Sequence, residues 1–239
     1  MVFRLSGLDA GFLELEKLGQ PMQCLAVGML RGGSGGVFSL HDLRQHLSTR
    51  LGSIPAFRWR VIPVPFGLAP PVLAEDRYFN LDDHLFHAVL PAPGGPAELD
   101  GVCARLVSRR LDQDRPLWRM TLVDGLADGR QALVLEVHHA LMDGVALRTT
   151  LARIFAPEPP VLPPRPGPPG RMPARGELVA GALAHNARAL ARLPELVLRT
   201  RRVNAAVRQR QAAAAVTVPR GGVDLPRSPV RPGSRLDYR

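Results

Sequence analysis

The sequence is poor in several things at once, and each shortage narrows what it can be. It has one lysine, Lys17, and two cysteines, Cys24 and Cys103, in 239 residues, and aromatic residues make up 5%. The cysteines have neither metal-ligand spacing nor the numbers of a disulfide framework. They fall on the apolar faces of a predicted strand and a predicted helix, and the expectation is of buried, inert thiols. No apolar run approaches the roughly 18 residues that a membrane span needs. Asp9, Glu14 and Glu16 occupy the region where a signal peptide would be basic and then apolar. The expected compartment is therefore the cytoplasm. With 46% hydrophobic residues the chain has enough material for an ordinary core, as one large domain or two small ones.

The net charge of +10 is unevenly placed. After residue 160, fifteen arginines face four carboxylates and leave +11, whereas the preceding part, with sixteen basic and seventeen acidic residues, carries −1. An Arg-rich C-terminal third points to an anionic surface, lipid headgroups before nucleic acid. An arginine cluster on a helix also reads simply as a solvated face.

Local signals order the elements. Ser6 and Asp9 resemble a capping box ahead of a helix over Leu8 to Leu18. Met22 to Leu30 reads as a strand, and Arg31 to Gly36 as a glycine-rich turn. Ser39 caps a second helix with a Leu40, Leu43, Leu47, Leu51 stripe that Gly52 stops. Phe57 to Val64, Pro70 to Ala74 and the approach to Asp82-Asp83-His84 read as short extended segments broken by prolines. Pro91 to Pro96 is a loop and Ala97 to Leu111 a helix. Trp118 to Val123 and Gln131 to Val137 pair as a hairpin, with turn chemistry at Asp124-Gly125 and Asp128-Gly129. The first domain, 1–156, ends at a Pro-rich linker, 157–173. An Arg-rich helical arm, 174–216, interrupted at Pro194, and a tail, 217–239, with little to pack, follow.

The chemistry concentrates at Val137-His138-His139-Ala140-Leu141-Met142-Asp143-Gly144, where the second hairpin strand runs into a helix marked by Leu147, Leu151, Ile154 and Phe155. A histidine exchanges protons near neutral pH, and strand ends are where a scaffold presents reactive groups. Neighbours on a strand point to opposite faces, so one imidazole faces a cavity while the other packs inward. Asp143 is suited to brace the loop through an arginine or backbone amides, and Gly144 to allow close backbone approach. A zinc site is disfavoured because the two side chains diverge and no further Cys or His is suitably spaced. Gly32-Gly33-Ser34-Gly35-Gly36 satisfies a serine-hydrolase pattern, but four glycines around Ser34 read as a flexible loop, not a strained elbow.

His138-His139-Ala140-Leu141-Met142-Asp143-Gly144 resembles the His-His-x-x-x-Asp-Gly signature of CoA-dependent acyltransferases, a superfamily including chloramphenicol acetyltransferase and peptide-synthetase condensation domains. Leu5-Ser6-Gly7-Leu8-Asp9-Ala10-Gly11-Phe12-Leu13, Phe79-Asn80-Leu81-Asp82-Asp83-His84 and Arg115-Pro116-Leu117-Trp118 are similar to segments of the bacterial wax ester synthase/diacylglycerol acyltransferase family, in that family's order and at about its spacing. The resemblance implies an α/β fold, a chloramphenicol-acetyltransferase-like half-domain with a mixed sheet and flanking helices, followed by a helical arm. It implies His139 as general base on the hydroxyl of diacylglycerol or a fatty alcohol, which attacks an acyl-CoA thioester with no acyl-enzyme. His138 and Asp143 would serve the scaffold, and Pro116, Leu117 and Trp118 would lie near the acyl tunnel. No metal and no cofactor beyond the substrate acyl-CoA are implied, and no nucleic acid. The match covers the first of two similar halves plus the linker helix. The expectations to weigh are therefore an acyltransferase, a non-catalytic truncated or split half that binds an anionic membrane, a lipid droplet or a partner subunit, and a condensation half-domain.

Overall fold

The computed structural model describes residues 2–30, 37–158 and 172–213. The Arg31 to Gly36 turn with Ser34, most of the Pro-rich linker and the tail lie outside the described residues. A four-stranded mixed sheet holds the centre, in the order β2 (Gln23–Leu30), β7 (Gln131–His138), β6 (Trp118–Asp124), β5 (Leu85–Val89). β5 runs parallel to β6, and the other pairs are antiparallel. A separate antiparallel sheet contains β1 (Val2–Arg4), β4 (Val72–Glu75) and β3 (Trp59–Ile62), with β4 in the middle.

Every residue of β7 is buried, because both faces of the central sheet are covered. Leu133, Leu135 and Val137 face the main core with Leu43 and Leu47 of α2 (Leu40–Ser48) and Leu147 and Ile154 of α4 (Gly144–Ile154). Ala132 and Val134 face Val102 of α3 (Pro96–Val107) on the other side. On that second face Glu136, fully buried, takes a two-pronged ion pair from Arg119 at 2.7 Å per contact. The hairpin turns as its residues suggest, since Gly125 and Gly129 both hold positive φ, 82° and 74°.

The helix starts follow their caps. Ser6 accepts from the Asp9 amide at the head of α1 (Gly7–Lys17). Ser39 and Asp42 form a complete capping box.

Several boundaries differ from the sequence pattern. α2 ends at Ser48, one turn before Gly52, and the chain tightens into 3-10 turns at Leu51–Ser53 and Pro55–Arg58. Pro55 keeps Ile54 out of helical geometry, which separates the two turns. The alternation over Phe57 to Val64 therefore yields strand only at Trp59–Ile62. Leu81–His84, expected to be extended, forms a 3-10 turn because the Asn80 side chain accepts from the Asp82 amide. α3 stops at Val107 instead of Leu111. Strand β5 had no clear signal; only Leu85 of it is buried.

α5 spans Arg175–Ala213 with Pro194 inside it, so the proline does not end the helix. Its Leu178 and Ala182 bury against Ile62, Val72 and Ala74 of the small sheet. The compact unit consequently runs Met1–Ala187, past the boundary expected near Ala156. In the second unit, Arg188–Arg239, the described helical residues from Arg188 to Gln209 are exposed wherever their side chains are described.

Candidate active site

Backbone register sets the two histidines apart. His138 is the last residue of β7, paired with Gln23, and donates its amide to the Leu117 carbonyl at 3.0 Å. His139, the first residue beyond the strand, donates its amide to the Met22 carbonyl at 2.8 Å. The chain then turns through Ala140 to Met142 into α4. Asp143 caps that helix, its carboxylate accepting from the Ala146 amide at 2.8 Å. Of the two bracing modes expected for Asp143, the backbone amide is the one found. Gly144 is the first helical residue, and no described atom lies within 4 Å of where a Cβ would sit; the close approach expected there is absent.

His138 is completely buried. Its Nδ1 accepts from the Ala140 amide at 3.0 Å, so in the neutral ring the proton sits on Nε2. Nε2 lies 3.7 Å from Oε1 of Glu16, itself 1% exposed on α1, and neither atom has a hydrogen-bond partner among the described residues. The other Glu16 oxygen accepts from the Gln113 amide group at 2.8 Å. Burial pushes the His138 pKa below its ordinary value, with Glu16 opposing and His139 reinforcing the shift. His138 is thus an imidazole held neutral inside the scaffold.

His139 is half-buried beside the Phe12 ring, at a centroid distance of 5.0 Å. Its Nε2 stands 3.0 Å from the Cys24 sulfur. Cys24 is therefore a half-buried thiol beside an imidazole, not the fully buried core residue expected. Both cysteines are half-buried, and the pairing of β2 with β7, which sets Cys24 opposite Val137, brings it to an imidazole 115 positions away. Burial raises the Cys24 pKa, so the group is a thiol at neutral pH. Glu16 and Cys24 are the site residues that sequence reasoning missed.

The expected tunnel residues lie on the same hairpin. Pro116, Leu117 and Trp118 are all buried. The Trp118 ring stacks between Phe57 at 4.1 Å and His84 at 4.5 Å, and its Nε1 donates to the Phe57 carbonyl. His84 Nδ1 donates to the Trp118 carbonyl at 2.9 Å, while burial lowers the His84 pKa. Pro116 borders a polar cleft of about 310 Å³ with Arg60, Asp83 and Arg115. A separate apolar groove of about 130 Å³ lies between the sheet and α4, lined by Ala26, Gly28, Met120, Leu135, Leu151 and Phe155 among others. Among the described residues no group of three or more His, Cys, Asp or Glu is arranged to hold a metal ion. No described helix is long and apolar enough to cross a membrane.

The fold is similar to that of condensation domains. The starter condensation domain of rhizomide synthetase superposes with a TM-score of 0.50 at 14% identity, over 64% of this chain and 36% of that one, a likeness of fold. Wax ester synthase/diacylglycerol acyltransferase from Marinobacter aquaeolei VT8 superposes with a TM-score of 0.52 at 31% identity, over 63% of this chain and 37% of that one. The model of the wax ester synthase/diacylglycerol acyltransferase catalytic domain matches residues 5–236, and the chain belongs to that family.

A Mycobacterium tuberculosis protein with the name "Probable diacyglycerol O-acyltransferase tgs3" is 42% identical over 145 residues, 61% of this chain and 53% of that protein. Another from the same organism, also bearing a diacylglycerol O-acyltransferase name, is 37% identical over 184 residues, 75% of this chain and 39% of that protein. The chain spans about half or less of the length of these curated relatives.

Proposed function

We propose that this chain carries the base-bearing half of an O-acyltransferase that moves a long-chain acyl group from acyl-CoA to diacylglycerol or a fatty alcohol. The observation that carries the reading is the inequality of the two histidines: His138 is fully buried and held by the Ala140 amide, while His139 is half-buried with Nε2 turned to a side chain instead of the backbone. In this reading His139 removes the acceptor's hydroxyl proton as the oxygen attacks the thioester carbonyl. The tetrahedral intermediate collapses by breaking the carbon–sulfur bond, and the CoA thiolate leaves with the proton returned from His139. His138 and Asp143 hold the loop. Pro116, Leu117 and Trp118 form part of the acyl wall, a role supported by Trp118 sharing a strand face with Met120, which lines the apolar groove.

Further hydrogen-bond donors and tunnel walls come from a second half, in the same polypeptide or a separate one. The matched segments cover only 53% and 39% of the relatives' lengths, which supports this division of labour. Purified chain given palmitoyl-CoA with dioleoylglycerol or hexadecanol is expected to release free CoA. His139→Ala lowers the rate by about 10²–10⁴-fold. Release no faster than that variant overturns catalysis by this chain alone, and activity that appears only on adding a relative's second half assigns the base to this half.

A second reading concerns contact with an anionic membrane or lipid droplet. It is favoured by exposed Arg188, Arg192, Arg199, Arg201 and Arg202 together with exposed Leu190 and Leu193 on α5. Flotation with vesicles containing anionic lipid is expected, and flotation indifferent to lipid charge overturns it.

A further inference from the structure

Helix α1 sets two side chains on the histidine pair. Phe12 and Glu16 are four residues apart and share one helix face. The Phe12 ring lies 5.0 Å from that of His139, and Glu16 Oε1 lies 3.7 Å from His138 Nε2, so neighbouring histidines at a strand end meet successive turns of one helix. Glu16 and His138 are both buried, and each leaves one polar atom without a hydrogen bond among the described residues. Those two atoms are complementary. His138 Nδ1 accepts from the Ala140 amide, which leaves the proton of the neutral ring on Nε2, a donor facing a carboxyl oxygen. Their separation exceeds a hydrogen bond to a carboxylate by about 1 Å, which a small side-chain rotation closes. Gln113 holds the other Glu16 oxygen at 2.8 Å and leaves Oε1 to serve His138.

The backbone on both sides of the His139 side chain is fastened nearby. The His139 amide donates to the Met22 carbonyl, and the next amide, that of Ala140, donates to the His138 ring. With its proton moved to Nδ1 that ring could not accept the Ala140 amide. The tautomer of His138 therefore decides whether the turn after His139 is held, and a tautomer is set by the partner of the protonated nitrogen. We propose that Glu16 is a positioning residue for the base: it keeps the buried His138 ring in the Nε2–H tautomer, and through the bond from Ala140 to His138 it holds the turn on which His139 stands. The proposal rests on the reading of His139 as base and extends the site to α1. Glu16 touches no reacting atom and acts through His138.

The full chain with isotope-labelled histidine is read near neutral pH by long-range proton–nitrogen NMR, which separates the two tautomers, and by hydrogen exchange at the Ala140 amide. His138 is expected as the Nε2–H tautomer alone. Glu16→Met keeps the bulk and removes the acceptor. It is expected to bring in the Nδ1–H tautomer, to quicken Ala140 exchange by about tenfold, the equivalent of one lost hydrogen bond, and to move the His139 proton signals shifted by the Phe12 ring. Glu16→Gln, whose amide oxygen still accepts, is expected to restore all three. Val102→Ala, a cavity on the other face of the sheet, lowers stability and leaves all three unchanged. In turnover of palmitoyl-CoA with hexadecanol, Glu16→Met is expected to lower kcat by about 10–100-fold with KM unchanged, and Glu16→Gln to recover it.

An unchanged tautomer and unchanged Ala140 exchange in Glu16→Met overturn the proposal, whatever the activity. So does an unsubstituted chain whose His138 carries its proton on Nδ1. If tautomer and turn respond while kcat of an active chain does not, Glu16 holds the loop without serving the base, and the proposal falls. A chain that releases no CoA overturns catalysis by this chain alone, and the tautomer, the Ala140 exchange and the His139 signals then uphold or overturn the positioning by themselves. Should Glu16→Met fail to fold, Glu16→Asp, which draws the acceptor back by one methylene, is read for the same changes.

Discussion

Two buried glutamates, Glu136 on β7 and Glu16 on α1, are treated differently. Glu136, two residues before His138 on β7, has both oxygens on the Arg119 guanidinium, which also donates to the Leu106 carbonyl. Glu16, near the end of β7, has one oxygen on Gln113 and leaves the other 3.7 Å from His138 Nε2 without a hydrogen bond. A buried polar group normally finds its partners, and one that does not is concentrated where function needs it. The difference teaches that β7 carries a saturated ion pair at Glu136 and, two residues on at His138, a loosely coupled contact with Glu16 beside the second histidine.

Removing partners is the most direct way to break that contrast. Arg119→Ala, which strands Glu136 in the interior, is expected to destabilise the chain by about 3–5 kcal/mol, read from urea unfolding midpoints. Glu16→Ala, which leaves the Gln113 amide group without its acceptor, is expected to cost about 1–3 kcal/mol. If the two losses are equal, the two carboxyl groups do the same job and the contrast fails. Asp143→Ala, at an exposed cap, is expected to cost about 1 kcal/mol, and Asp143→Asn much less, because the asparagine oxygen still accepts from Ala146.

The smallest effect is a slope with pH. His138 and His84 both have folded pKa values pushed, chiefly by burial, below the ordinary histidine value of about 6.5. The unfolded chain therefore binds their protons first. Their stabilisation is fully present above pH about 6.5 and is lost as pH falls from there toward the depressed folded values. Urea midpoints at pH 5.5 should be lower than at pH 7.5, and His84→Gln should flatten the slope; a midpoint that rises on acidification would show that the buried imidazoles are charged in the fold.

Much of the frame was legible because its causes are local. Ser6 and Ser39 announce helix starts through bonds to amides three residues on, the Asp-Gly turns announce the β6–β7 hairpin, and the Leu147, Leu151, Ile154 spacing announces α4. The breaks in the reading have local causes too, overlooked in a periodic pattern: Pro55 and the Asn80 side chain open the tight turns at Pro55–Arg58 and Leu81–His84. β5 was not legible, since its parallel partner β6 lies across an intervening helix and its own residues are mostly exposed. Trp118 was expected near substrate, but nothing in its neighbours along the chain indicated that Phe57 and His84 would enclose its ring.

The sequence by itself determined the order of the elements and the placing of two histidines at the junction of a strand and a helix, because periodicity, caps and turns act over a few residues. Only the tertiary structure decided that His138 meets Glu16 and His139 meets Cys24. The first depends on where α1 packs, and the second on strand register, where a slip of one residue turns every side chain to the other face and which is set by burial across the whole sheet.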